Sequence, residues 1–236
     1  LALAWEIEVP RATLGSAPVV DGAPHLLVRN EAETALSVWR LDPATGETVA
    51  ALEVPGVQAF PAGDIDALTP LDDERLAVIA VPTADTSDSV VVIRTGSELS
   101  VEWIREFGDD EELRYRPDQV VVADGQIAFW SDLDGRVIVA LDLDSGDLGW
   151  TAEPSSFDNT AGQISGVGGL GFLISPFGGA WLEALADGEQ LWAIDDVPGL
   201  ESPQTHTPVD GGLLVSGRIP RQAANGAYVG LVALDR

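Results

Sequence analysis

The chain has 236 residues, 45% of them apolar, and a formal net charge of −27 at neutral pH. That charge sets it against nucleic acid and anionic membrane surfaces, whose phosphates would repel it. The absence of cysteine removes disulfides, thiolate metal sites and a cysteine nucleophile.

No uninterrupted apolar run reaches the ~18 residues of a helical membrane span, and no signal-peptide pattern opens the chain. With no methionine at all, it is expected to be a mature product or an excised domain. All of its basic residues are arginine, and alanine, valine, glycine and aspartate are abundant. This composition suggests a GC-rich bacterial genome.

Taken in order, residues 17–20 read as an inner strand, Asp21-Gly22 as a tight turn and Leu26-Leu27-Val28 as a second strand. Residues 36–41 alternate apolar with other side chains and form the third, and 48–54 form the outer strand. Between the last two lies the turn Leu41-Asp42-Pro43-Ala44-Thr45-Gly46-Glu47, and a degenerate copy runs from Arg94-Thr95-Gly96-Ser97-Glu98 to Trp103. The cleanest copy follows. Strands are expected at 119–122, 127–130, 137–141 and 148–151, with turns at Asp124-Gly125, Asp134-Gly135 and Asp144-Ser145-Gly146.

Gly166-Val167-Gly168-Gly169-Leu170-Gly171 superficially resembles a phosphate loop, but no helix follows it and it reads as a tight hairpin. Another copy of the repeat is Leu185-Ala186-Asp187-Gly188-Glu189-Gln190-Leu191-Trp192, and the last strands are expected at 207–215 and 228–234. No segment makes a convincing amphipathic helix.

The marker positions Trp5, Val49, Trp103, Trp150 and Trp192 recur at the spacing of about 40–50 residues typical of propeller blades. The fifth copy is divided between Val232-Ala233-Leu234-Asp235-Arg236 and Leu1-Ala2-Leu3-Ala4-Trp5. The expected fold is therefore an all-β propeller of five four-stranded blades in a single domain spanning 1–236. The N-terminal strand, Trp5 to Val9, completes the last blade, and closure leaves no open sheet edge.

The pattern Ala-x-Asp-x-x-Ser/Thr-Gly-x-x-x-Trp, best matched from Ala140 to Trp150, resembles the repeat of quinoprotein-like (PQQ-like) β-propellers. The enzymes of that superfamily hold a quinone and a calcium ion, and other members are cofactor-free scaffolds. This chain has about five repeats where the enzymes have eight. It lacks their adjacent cysteine pair and any match to their calcium-ligand segment. The resemblance thus implies the non-enzymatic scaffold branch, with no cofactor and no metal. It also gives Asp42, Thr45, Asp142, Ser145, Trp103, Trp150 and Trp192 structural roles in turns and between blades.

Function is then expected in the loops at one face, around the channel mouth. One set comprises 57–69, 108–118, 154–163 and 195–207, and a second set on the same face comprises 29–34, 83–89, 131–134, 175–178 and 217–227. These loops carry Asp64, Asp66, Arg114, Tyr115, Arg116, Asp158, His206, Arg218 and Arg221, which are the candidate ligand- or partner-binding residues. The arginines and the tyrosine suit a carboxylate, a sugar or a partner loop. Solvated loop charge is the competing reading.

Asp142-Leu143-Asp144-Ser145-Gly146-Asp147 echoes the start of a calcium-binding loop, but the repeat accounts for Asp142. With only His25 and His206 available, and no Gly-x-Ser-x-Gly elbow, a serine-histidine-aspartate triad has little support. The expected role is an exported or cell-surface propeller that scaffolds protein interactions, its partner another protein or a cell-surface component. A small-molecule or glycan binder using the channel-mouth loops is the alternative. A five-bladed glycoside hydrolase working through Asp64, Asp66 and Asp158 is the third reading.

Overall fold

The computed structural model describes residues 6, 17–29, 35–54, 68–80, 88–107, 120–130, 137–153, 162–167, 171–176, 182–194, 202–209, 212–218 and 229–235. The chain divides into two compact units, Leu1–Val120 and Val121–Arg236.

The first unit holds two four-stranded antiparallel meanders. One is β1 (Val19–Val20), β2 (Ala23–Arg29), β3 (Leu36–Leu41) and β4 (Thr48–Glu53); the other is β5 (Leu68–Pro70), β6 (Arg75–Ala80), β7 (Asp88–Arg94) and β8 (Ser100–Phe107). The two sheets pack face to face. Leu27, Leu36 and Val38 of the first meet Leu76, Val78, Val91 and Ile93 of the second in one apolar cluster.

Central strands are buried on both sides. Val90, Val91, Val92 and Ile93 have no exposed surface although they point alternately to opposite faces. A continuous β-branched run fits that position, each such side chain contributing about 1.5–3 kcal/mol by leaving water. The outer strand β4 is mostly exposed, and its sequence is correspondingly mixed.

The second unit repeats the plan with β9 (Val121–Ala123), β10 (Gln126–Trp130), β11 (Ile138–Asp142) and β12 (Leu148–Ala152), then β13 (Gly162–Val167), β14 (Gly171–Pro176), β15 (Leu182–Ala186) and β16 (Glu189–Ile194). A three-stranded sheet follows: β17 (Ser202–Val209), β18 (Gly212–Arg218) and β19 (Val229–Asp235). Ala128, Ile138 and Ala140 pack with Ile164 and Leu185 of the next sheet, and β13 also lies against β17. Of the N-terminal strand expected to complete the last sheet, all but Glu6 lies outside the described residues.

Three two-residue hairpin turns are built the same way. Asp21-Gly22, Asp124-Gly125 and Asp187-Gly188 all have positive φ, from 50° to 78°. This is the geometry that matches the twist of hairpin strands and that Asp-Gly tolerates. β13 pairs antiparallel with β14 out to Val167–Gly171, the strand pairing expected around the glycine-rich segment.

A shared irregularity marks the repeat more sharply than its tryptophans. In each four-stranded sheet the register shifts between the third and fourth strands, at Arg40/Leu41, Val92/Ile93, Ala140/Leu141 and Ala184/Leu185. Just beyond the shift, Val92 faces Trp103, Ala140 faces Trp150 and Ala184 faces Trp192. In the first sheet the corresponding pair is Arg40 and Ala50. Ala50 rather than Val49 therefore holds the tryptophan position. Val49 is the residue the bulge leaves unpaired, and it is exposed.

Candidate functional site

The turn between the third and fourth strands is tied down by its own aspartate. Asp42 Oδ1 accepts from the backbone N–H of Ala44 and Thr45, each at 2.8 Å, and from the Thr45 hydroxyl at 3.3 Å. Thr45 Oγ1 in turn accepts from Glu47 N–H. The copy at Asp142 is the same bond for bond. Its Oδ1 accepts from Asp144 and Ser145 N–H and from the Ser145 hydroxyl, and Ser145 Oγ accepts from Asp147 N–H. These carboxylates hold the chain, as the repeat pattern implied. The three donors hold the Asp42 carboxyl below its ordinary value, the largest cause being Thr45 N–H and the next Ala44 N–H.

The indole of Trp150 reaches across β11 to β10, where its Nε1–H donates to Gln126 Oε1 at 2.9 Å. Ala128 and Ala140 share its cross-strand row and leave space for the ring. The turn of the next sheet then sits on it: a Cβ on Gly188 would stand 3.2 Å from Trp150 Cβ. The tryptophan packs between neighbouring sheets as expected. Its hydrogen-bond acceptor, however, is a side-chain amide that the sequence pattern did not single out.

In the first unit the turn end of the sheets carries a belt of paired charges. Arg40 bonds Asp21 at 3.1 Å, Arg75 bonds Asp72 at 2.7 Å, and Arg94 reaches Glu102 at 2.8 Å and Glu74 at 3.6 Å. Backbone bonds stitch the belt together. Asp21 N–H donates to the Asp73 carbonyl, joining the two sheets, and both the N–H and the hydroxyl of Thr95 donate to the Glu74 carbonyl. The same tie recurs in the second unit, from Leu143 N–H to the Gly125 carbonyl.

Of the residues expected to bind, Asp64, Asp66, Arg114, Tyr115, Arg116, Asp158 and Arg221 lie outside the described residues. His206, expected in the loop 195–207, stands within β17 opposite Val215, because strand pairing begins at Ser202. Arg218 is the last residue of β18 and pairs with both Ser202 and Val229. It therefore stands at the end of that sheet where residues 195–201 and 219–228 join it.

No family model matches the chain, and no curated protein matches it. Solved structures do. A prolyl endopeptidase structure aligns over 99% of the chain and 34% of its own length, with 19% identity and a TM-score of 0.63. Quinohemoprotein alcohol dehydrogenase ADHIIG from Pseudomonas putida HK5 aligns over 92% of the chain and 41% of its own length, with 13% identity and a TM-score of 0.55. BamB from Moraxella catarrhalis aligns over 87% and 82%, with 12% identity and a TM-score of 0.41.

The fold is all-β and of the β-propeller kind. That assignment rests on the first two likenesses together with the repeated four-stranded antiparallel sheets. The chain spans about a third to two fifths of the length of those two proteins.

Proposed function

We propose that this chain is a non-enzymatic protein-interaction scaffold, an exported or cell-surface propeller working without a cofactor or resident metal. One observation carries this reading. The polar side chains of the repeat, Asp42, Thr45, Asp142 and Ser145, are spent on turn bonds. Recognition then falls to the intervening loops, with Asp64, Asp66, Arg114, Tyr115, Arg116, Asp158 and Arg221, and to Arg218 and His206 beside them. The partner is another protein or a cell-surface component, met chiefly by the arginines, which offer planar, multidentate donors.

Architecturally, the five sheets are the five blades of one domain spanning 1–236, and the N-terminal strand is the missing fourth strand of the β17–β19 sheet. What supports this is the strand count among the described residues, four in each of the other sheets and three in that one.

The test is a binding measurement on purified chain against cell-envelope protein fractions and oligosaccharides, with paired variants Arg114→Ala/Arg116→Ala and Arg218→Ala/Arg221→Ala. The scaffold reading expects a protein partner whose binding either pair weakens without lowering the melting temperature. A rise in melting temperature with oligosaccharide, by mass action, together with no protein partner, would transfer the site to a glycan.

A further inference from the structure

The four-stranded sheets share one cross-strand row beside the bulge, and the first sheet fills it differently. The rows are Ala77–Val92–Trp103, Ala128–Ala140–Trp150 and Leu173–Ala184–Trp192. In the first sheet the row is His25–Arg40–Ala50. Where the outer strand supplies an indole, the third strand gives it alanine or valine. Where the outer strand supplies only Ala50, the second and third strands supply an imidazole and a guanidinium. The chemistry of the row changes from apolar to ionisable.

The replacement is enclosed. His25 has no exposed surface, and neither ring nitrogen completes a well-formed hydrogen bond, the backbone of Ala23 and Pro18 being its polar surroundings. Its side chain shares a face with Leu27 and Val38, which pack in the cluster between the two sheets. Buried polar groups are nearly always satisfied, so an imidazole held only by distant or poorly aligned backbone groups is exceptional.

Among the described residues, the charges acting on the ring are Arg40 on β3 and Asp21 on the β1–β2 turn. Arg40 is itself bonded to Asp21. The β5–β6 turn that meets this corner carries Asp72, Asp73 and Glu74. Asp72 is engaged by Arg75 and Glu74 by Arg94, while Asp73 offers its carbonyl to Asp21 N–H. A second cation at His25 would therefore share one carboxylate with Arg40 in a space closed to water.

We propose that the His25–Arg40 row is an acid-sensitive latch: a proton on His25 frees the β1–β2 hairpin from Arg40 and from the β5–β6 turn. The direction of the ring's titration agrees. Burial is the largest cause lowering it from its ordinary 6.5; the backbone of Ala23 opposes this, Arg40 adds to it, and Asp21 and the backbone of Pro18 oppose it. A depressed pKa means that the opened chain binds the proton more readily than the closed one. The latch is therefore shut above pH 6.5 and yields as pH falls below it.

Amide hydrogen exchange by NMR tests this on the intact chain. Asp21 N–H is bonded to Asp73 and His25 N–H to Pro18, while Asp142 N–H is bonded to Asp147 in the other unit. After correction for intrinsic exchange, protection at Asp21 and His25 should fall several-fold between pH 7.5 and 5.0. Protection at Asp142 should hold. The triple variant His25→Ala/Arg40→Ala/Ala50→Trp, which installs the row of the third sheet, should lose the pH response. Unchanged protection at Asp21, or a parallel loss at Asp21 and Asp142, would overturn the latch. If the triple variant fails to fold, the comparison of the two units within the wild-type chain still decides.

Discussion

Gly166 on β13 approaches Val122 on β9 so closely that a Cβ on the glycine would overlap the Val122 carbonyl oxygen. The contact joins the first strands of two successive sheets, and the obstacle is backbone, which cannot rotate away as a side chain can. Gly166→Ala should therefore destabilise the chain by about 1–3 kcal/mol, the usual cost of overpacking. Gly96→Ala is the matched control, because its new methyl would meet nothing closer than 3.8 Å. Chemical denaturation of both variants checks the pair. Equal midpoints would contradict the close approach.

Asp142 accepts from three donors of its turn. Asp142→Ala should lower the melting temperature by about 2–4 °C, the effect of losing one cap-like aspartate in a domain of this size. Asp142→Asn, which keeps an acceptor oxygen, should recover most of that loss. Thermal scans at fixed pH distinguish the two.

Trp150 and Gln126 should be coupled. Trp150→Phe leaves the Gln126 amide oxygen without its 2.9 Å donor, and Gln126→Ala leaves the indole N–H without its acceptor. A double-mutant cycle should return a coupling of about 1 kcal/mol, the net worth of a hydrogen bond in a partly buried site. Additive effects would show that the ring is held by packing alone.

A second acid transition should appear well below that of His25. Asp42 is held down by the N–H groups of Thr45 and Ala44. For Asp72, burial pushes the carboxyl up, but Glu74 N–H and the Arg75 guanidinium outweigh it and leave it lowered. Both contribute stability that is present above the unfolded value of 3.8 and is lost as pH falls through their lower folded values. Denaturation midpoints measured from pH 5 to pH 2 should decline, and Asp42→Asn should flatten part of that decline.

The strands and their turns were legible in the sequence because their causes are local. Asp21-Gly22 and Asp124-Gly125 permit the positive φ of a tight hairpin. The spacing from Asp42 to Thr45, repeated as Asp142 to Ser145, is a bond pattern that closes within six residues. The period of the repeat was legible for the same reason, apart from the one-residue offset at Val49. That offset came from taking the apolar residue for the marker, since Ala50 stands as far from Asp42 as Trp150 does from Asp142.

Other features depended on strand register and sheet packing, which bring distant residues together. Nothing near Gln126 in the chain announces Trp150, and nothing near Gly166 announces Val122. His25 reads as one residue of an apolar strand until pairing sets it beside Arg40 and Ala50. The sheet thereby encloses an ionisable ring in a place where the other sheets put carbon. The sequence by itself determined which segments become strands and how they turn, since dihedral preference and short-range bonds suffice. Only the tertiary structure decided which side chains share a row across a sheet, because that follows from register and from the volume each neighbour leaves.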